Sequence, residues 1–481
     1  MTKPKKRLPR SSSLSLGVED QVKAGKIIRN LLIRFFLLIA LIAITIGAYF
    51  YFKPKLEPAG PPKEVEANEN ESEIYVSFLL EVQNKIKENY WKKISDEELS
   101  ELFKLAIEKV AEEQQEPATT TKESSVTILD NDNSLETLFT EKFKNLNNED
   151  KKEFTVNIAS LVLANLAPFN RSGLYTTKKV QQLSDEVKNI DPAIDLYADL
   201  GVEKNAPQDQ VELAYEKKLE ELEQVIQDET KSAAEKTQAN DKLTQIKRAN
   251  ETLSIPGKRE TYDEEGIEAT TKSNILTDNI AYLQIKKFSP TTYEEFVNDL
   301  DRLEDQPSLK YLVLDLRSNI GGSIDYLPYF LGVFLGNNQY AYDWLHQDEY
   351  TPFRTKTDKM AIISKLKNMI ILTDKQTQSS SEVMAATLKK YNLAIVVGAG
   401  TKGWGTIEKV FPIDNQIDPE NETYSMFMVH SITIRDNDGQ PIEGRGIDPN
   451  INTDDEGWEK QFLEYCENQE LVDAVKKLLE E

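Results

Sequence analysis

Residues 31–52, from Leu31-Leu32-Ile33 to Tyr51-Phe52, form a 22-residue apolar run broken by one charge, Arg34. That length matches the hydrocarbon core of a bilayer and would not be needed for a helix buried in a small domain. Arg34 lies near the start, where a long cation can reach back to the headgroups. Tyr49 and Tyr51 stand at the far end, as interfacial aromatics do. Residues 1–55 hold eleven Lys/Arg against two Asp/Glu, and Lys3, Lys5, Lys6, Arg7, Arg10, Lys23, Lys26 and Arg29 all precede the run. The positive-inside rule then puts the N-terminus in the cytoplasm and the bulk of the chain across the cell membrane. No small-x-small cleavage site follows the run, so an uncleaved single-pass anchor is expected rather than a signal peptide. This reading divides the start of the chain into a basic cytoplasmic tail (1–30), a transmembrane anchor (31–52) and a Pro/Glu/Asn linker (53–73).

The rest of the chain is acidic enough to bring the whole to a formal net charge of -24. Phosphates would be repelled, which excludes non-specific nucleic-acid binding. With two histidines, His346 and His430, and one cysteine, Cys466, a Cys/His zinc site and an internal disulfide are excluded. A Ser-His-Asp triad would have to use one of two isolated histidines. No cofactor or metal is implied, and the oligomeric state is not legible. At 481 residues the chain needs more than one folded unit.

Helical periodicity runs from Ile74 to about Gln115, carried by Val76, Leu79, Leu80, Leu99, Phe103 and Val110, with Ser95 and Glu98 as a capping box. A polar Thr/Ser/Asn stretch follows. A second helical stretch spans Leu135 to Leu166, and Pro168 to Gly173 is a turn. Residues 193–265 read as a third, strongly charged helical unit. From Asn279 short strands alternate with helices: 281–285, 311–315, 369–372 and 394–397. That texture is an α/β domain. Trp458 to Leu479 reads as one amphipathic helix.

Four ordered signals mark the α/β part: the strand Ile280 to Phe288, then Asp315-Leu316-Arg317-Ser318-Asn319-Ile320-Gly321-Gly322, Thr377-Gln378-Ser379-Ser380-Ser381-Glu382-Val383, and Gly439 to Pro449. In order and spacing they resemble the C-terminal-processing peptidases, or tail-specific proteases. Tyr90-Trp91, Leu166 to Leu174 and Asp473 to Leu479 resemble that family's helical N-terminal region and C-terminal end. The resemblance covers roughly 74–190 and 274–480. It implies an α/β peptidase core of crotonase/Clp-protease-like type (274–455), a helical N-terminal region (74–190) and a C-terminal helix (456–481). Where the family normally carries a PDZ domain, residues 193–268 differ. Leu196-Tyr197-Ala198-Asp199-Leu200-Gly201-Val202 and Lys258-Arg259-Glu260-Thr261-Tyr262-Asp263-Glu264-Glu265-Gly266 look like a J-domain. The His-Pro-Asp turn by which a J-domain activates its chaperone is missing, so a J-like fold without co-chaperone activity is expected.

The family cleaves peptide bonds with a Ser/Lys dyad. A serine hydroxyl needs a base beside it, a buried lysine can be neutral near pH 7, and backbone N–H groups hold the oxyanion. Ser379 matches the nucleophile. Gly321 and Gly322, with the N–H of Ser380, match the oxyanion hole; their plainer role is a tight strand-to-helix turn. The family's lysine, 25 residues after the nucleophile, falls on Trp404. Its acidic position eleven after the nucleophile is Lys390, and its glutamine is Glu408. Lys402, two residues before Trp404, is the expected replacement base, with His346 or His430 as substitutes. Trp404 either fills the site or stacks on a bound peptide.

The expectation is therefore a membrane-anchored, extracytoplasmic serine-type endopeptidase that takes exported or membrane proteins and peptides as substrates. The alternatives are a pseudoprotease that keeps the groove and binds peptide segments as a scaffold or adaptor, and an interaction module built on the J-like unit.

Overall fold

The computed structural model describes residues 70–113, 135–144, 146–434 and 439–480. The tail, the anchor 31–52, most of the linker and the polar stretch 117–134 lie outside the described residues. All of the described residues fall in one compact unit that begins at Asn68.

The chain opens with four helices, α1 (Asn70–Asn89), α2 (Asp96–Glu113), α3 (Leu135–Phe143) and α4 (Asn148–Ala164). Ser95 and Glu98 form the reciprocal capping bonds expected at the start of α2, both at 3.1 Å. The stretch 135–166 is two helices, because Asn147 caps α4 by accepting from the Asp150 N–H at 2.9 Å. After the turn come β1 (Gly173–Thr176) and α5 (Thr177–Lys188).

The charged unit is wholly helical: α6 (Leu196–Leu200), α7 (Gln208–Gln227), α8 (Ala233–Leu253) and α9 (Pro256–Glu265). The long helices α7 and α8 are joined by a short turn, and Ser232 and Glu235 make a capping box at the start of α8. Leu196, Leu200, Val211, Ile246, Ala249 and Leu253 form a small core of their own.

The α/β part follows: β2 (Thr271–Thr277), β3 (Ile280–Ile285), α10 (Thr292–Glu304), β4 (Tyr311–Asp315), α11 (Leu327–Leu335), β5 (Tyr340–His346), β6 (Glu349–Arg354), α12 (Ala361–Lys365), β7 (Asn368–Thr373), α13 (Ser380–Lys390), β8 (Ile395–Gly398), β9 (Thr406–Pro412), β10 (Tyr424–Ile434), β11 (Ile451–Asn452), α14 (Trp458–Cys466) and α15 (Gln469–Glu480). A six-stranded sheet has the order β11-β8-β7-β4-β3-β2, parallel except at β2–β3. Its central strands β3, β4, β7 and β8 are largely apolar because both faces are covered, whereas the edge strand β2, Thr271-Lys272-Ser273-Asn274-Ile275-Leu276-Thr277, is mixed. Leu312, Leu314, Met369 and Ile371 pack on one face with α10, α11 and α13. Tyr311, Val313, Ile370 and Leu372 pack on the other with α14 and α15. Each fully buried side chain of this kind is worth roughly 1.5–3 kcal/mol.

Two expectations need correction. The C-terminal helix is broken. Glu467 takes a left-handed conformation with φ 51°, and its N–H caps Leu463 at 2.8 Å. The break lets both Phe462 of α14 and Leu471 and Val475 of α15 reach the same sheet face. The second difference is an antiparallel sheet, β1-β10-β5-β6 with β9 paired to β10. Its edge strands mix polar and apolar residues, as in Thr406-Ile407-Glu408-Lys409-Val410 of β9, where 409 and 410 are exposed. The N-terminal helices cover Tyr424, Met426 and Met428 of β10.

The helical unit 193–268 is tied to the α/β part by ions withdrawn from water. Glu251 on α8 pairs with Lys272 at 3.0 Å and with Lys286. Lys258 on α9 is buried 3.6 Å from Asp299 of α10, and desolvation pulls its ammonium down to about 8. Among the described residues no helix is long and apolar enough to cross a membrane.

Candidate active site

Ser379 stands between β7 and α13 at φ 58° and ψ −125°, a conformation that costs a non-glycine residue about 1–3 kcal/mol. The strain persists because the loop on either side is over-determined. The Asp374 carboxylate accepts from Thr377 N at 2.8 Å and from Ser318 N at 2.9 Å. Burial opposes its charge, yet these bonds hold it below the usual carboxylate range. Asn319, fully buried, spends its amide on Ile285 O at 2.7 Å and its Oδ1 on Gly321 N at 2.8 Å, while its carbonyl accepts from Gln378 N at 3.0 Å.

Glu382, fully buried one turn into α13, is the centre of this arrangement. Its Oε2 accepts from the N–H groups of Ser379 and Trp404, each at 2.8 Å; its Oε1 accepts from Gly403 N at 2.7 Å and Thr401 Oγ1 at 2.5 Å. Burial pushes its carboxyl up, and the four hydrogen bonds offset only part of that. One carboxylate thus fastens the nucleophile to the 401–405 loop. Because Ser379 N and Trp404 N share one oxygen, they lie within roughly 6 Å of each other.

Gly321 and Gly322 have φ 91° and 136°. A Cβ on Gly321 would lie 2.6 Å from Ser379 Cβ, and one on Gly322 would lie 2.2 Å from Phe288 O. Both positions therefore need glycine for close approach. The two differ as donors. The Gly321 N–H is taken by Asn319, whereas the N–H groups of Gly322 and Ser380 have no acceptor among the described residues. Ser380 Oγ donates to Gly322 O at 3.2 Å and holds the two segments together.

Ser379, Gly321, Gly322 and Trp404 line one cleft of about 490 Å³. Trp344 Nε1 and Gln378 Oε1 also line it, both buried without a hydrogen-bond partner. The Trp404 ring carries the Arg171 guanidinium 3.2 Å from its centroid, and its Nε1 donates to Glu408 Oε1 at 3.1 Å. Arg171 also pairs with Glu443 at 2.9 Å, and Glu443 accepts from Gly405 N at 2.8 Å. Burial pushes the Glu408 carboxyl up, with only partial relief from Thr406 and Trp404.

Lys402 lies elsewhere. It is exposed, its Nζ is 5.2 Å from the Trp404 ring centroid, and it is not among the residues lining the cleft. Lys390 ends α13 against the Tyr340 ring, eleven residues from the nucleophile. His346 and His430 are stacked on each other with centroids 4.2 Å apart, and neither lines the cleft. Arg171, Glu382, Glu408 and Glu443 are the partners that motif reading left without a role. Glu382 and Glu443 sit inside the quoted strings, and a buried carboxylate at a helix start was the available signal. Nothing in the sequence joined Arg171 to Trp404.

A strained serine opening a helix, facing a glycine pair at the end of a parallel strand, defines the class of serine-type acyl-transfer sites. Residues 279–453 match the family model described as Peptidase family S41, which supports the motif resemblance over that segment. Similar curated proteins include the Carboxy-terminal processing protease CtpA of Bacillus subtilis (strain 168), 28% identical over 204 residues, which are 42% of this chain and 40% of that protein. A Probable CtpA-like serine protease of Staphylococcus epidermidis is 25% identical over 207 residues, 43% of this chain and 39% of that protein. The chain thus spans about two-fifths of the length of the curated relatives it matches. Among solved structures, the photosystem II D1 C-terminal processing protease aligns at TM-score 0.44 and 12% identity, covering 80% of this chain and 93% of that one. A lipoprotein from Streptococcus agalactiae aligns at 0.42 and 11%, covering 84% and 99%.

Proposed function

We propose that the chain is a serine-type endopeptidase of the tail-specific class, anchored by residues 31–52 and acting on exported or membrane proteins outside the cytoplasm. Ser379 is the nucleophile, and the N–H groups of Gly322 and Ser380 receive the oxyanion. Gly321 supplies the close approach. The observation that carries this reading is the strained Ser379 beside two uncommitted N–H donors; strain of that kind is kept where a site uses it. The unpartnered Trp344 Nε1 and Gln378 Oε1 offer a donor and an acceptor to a peptide lying in the cleft.

A second reading is favoured by one feature, Trp404 under Arg171 where the family lysine belongs. On it the protein binds peptide segments without turnover. The test is Ser379-dependent cleavage of casein by the full-length protein in detergent, beside labelling by a fluorophosphonate. Cleavage and labelling lost in Ser379→Ala support the peptidase. A folded wild type that binds an unstructured peptide through Trp404 yet neither cleaves nor labels decides for the second reading. The J-like unit is predicted not to stimulate a chaperone ATPase.

A further inference from the structure

Five ionisable side chains line the cleft with Ser379: Glu186, Lys287, Asp325, Glu408 and Lys409. Glu186, Asp325 and Lys409 are exposed. Lys287 is half-buried, but its Nζ is spent on Glu186 O at 2.8 Å. Glu408 is half-buried and oriented. Its Oε1 accepts from Thr406 Oγ1 at 2.6 Å and from Trp404 Nε1, and Trp404 itself is fastened to Ser379 through the shared Glu382 oxygen.

We propose that Glu408 is the proton acceptor for Ser379, with Trp404 and Arg171 as the residues that position it. This rests on the peptidase reading above. Ser379 Oγ bonds to the scissile carbonyl carbon while its proton passes to Glu408 Oε2. The oxyanion is held by the Gly322 and Ser380 N–H groups. The carboxylic acid then gives that proton to the departing amine nitrogen as the C–N bond breaks, leaving an acyl-enzyme. A water, giving its proton to Glu408, attacks the acyl carbon. That proton returns to Ser379 Oγ as the acyl–oxygen bond breaks.

Two further features fit this role. A tryptophan at the lysine position cannot accept a proton, but its indole N–H can aim a carboxylate. Burial raises the Glu408 carboxyl above the usual carboxylate range, which makes its carboxylate a stronger base. The groups facing it are Trp404 and Thr406 on its own segment, Arg171 from the turn before β1, and Tyr175 on β1, whose phenol Glu408 helps to raise. Its cross-strand neighbour on β10 is the uncharged Val429. Arg171 opposes the upward shift and keeps Glu408 ionisable.

The test uses the full-length protein in detergent and measures fluorophosphonate labelling of Ser379 and casein cleavage from pH 5 to 9. Glu408→Gln keeps the acceptor for Trp404 and Thr406 but cannot take a proton. It should lose both signals by roughly a hundred-fold or more. Lys402→Met, outside the cleft, should stay within a few-fold of wild type. The labelling rate should rise with pH through one ionisation above the ordinary carboxylate range. Trp404→Phe, which removes the hydrogen bond to the carboxylate, should move that ionisation higher still. Circular dichroism checks folding, and Glu408→Asp, shorter but still basic, should retain part of the rate. Glu408→Gln at wild-type rate with Ser379 dependence intact overturns the role of Glu408 alone, as does a complete loss in Lys402→Met. A folded wild type whose Ser379 takes no label at any pH overturns both this inference and the peptidase reading.

Discussion

At the residue scale the site depends on a carboxylate that need not touch substrate. Glu382 satisfies four donors from two loops. In Glu382→Ala the N–H groups of Ser379, Gly403 and Trp404 and the Thr401 hydroxyl lose their acceptor. A dry, unpaired donor costs roughly 1–3 kcal/mol, so we predict a loss of about 3 kcal/mol or more in denaturant unfolding. The 401–405 loop should separate from Ser379, and serine labelling should vanish. A variant with wild-type stability and labelling would contradict that role. Gly321 has a comparable steric duty: a methyl there meets Ser379 directly. Ser379, the glycine pair and Glu382 were all inside motifs that the sequence exposes. Their hydrogen-bond assignments were not, because whether the Gly321 N–H is free depends on where Asn319 folds.

At the element scale, β5 and β10 bring together the chain's two histidines, which lie 84 positions apart. His430 sits at the β10 bulge, its Nδ1 2.7 Å from Ser431 Oγ and its Nε2 3.4 Å from Lys409 Nζ. Burial, then the charges of Lys409 and His346, lower His430 to about 4. The unfolded chain would protonate it near 6.5, so between those values the unfolded state binds more protons. Stability from this group is complete above about pH 6.5 and is lost as pH falls toward 4. His430→Phe keeps the stacking and removes the titration. The thermal midpoint of the variant should therefore fall less than that of wild type between pH 7 and 4; parallel curves would exclude the effect. The parallel strands were legible because burial on both faces gives continuous apolar runs such as Tyr311-Leu312-Val313-Leu314. The antiparallel strands were not: exposed positions dilute the pattern of β9, and β10 places Ser431 and Thr433, polar but buried, among its apolar residues.

At the scale of the whole molecule, composition sets residues 1–55, basic and then apolar, apart from the acidic remainder. The basic flank and the apolar run 31–52 predict that protease added outside intact cells, after any outer layer is opened, digests the chain beyond Lys53; protection of that region would remove the extracytoplasmic assignment. The sequence by itself determined four strands of the parallel sheet, the serine, the glycine pair and the tryptophan at 404, since these are local signals readable within a few residues. It also marked 193–265 as a charged helical unit, and the structure there is helical. Only the tertiary structure decided which groups stand around Ser379. Arg171, the 404–408 segment and Glu443 lie apart in the chain, and the contacts of Arg171, its guanidinium over the Trp404 ring and its pair with Glu443, exist only once the turn before β1 packs against the loop after β8. The same packing left Lys402 exposed outside the cleft and Glu408 half-buried within it, because only the folded chain decides which side chains lose contact with water.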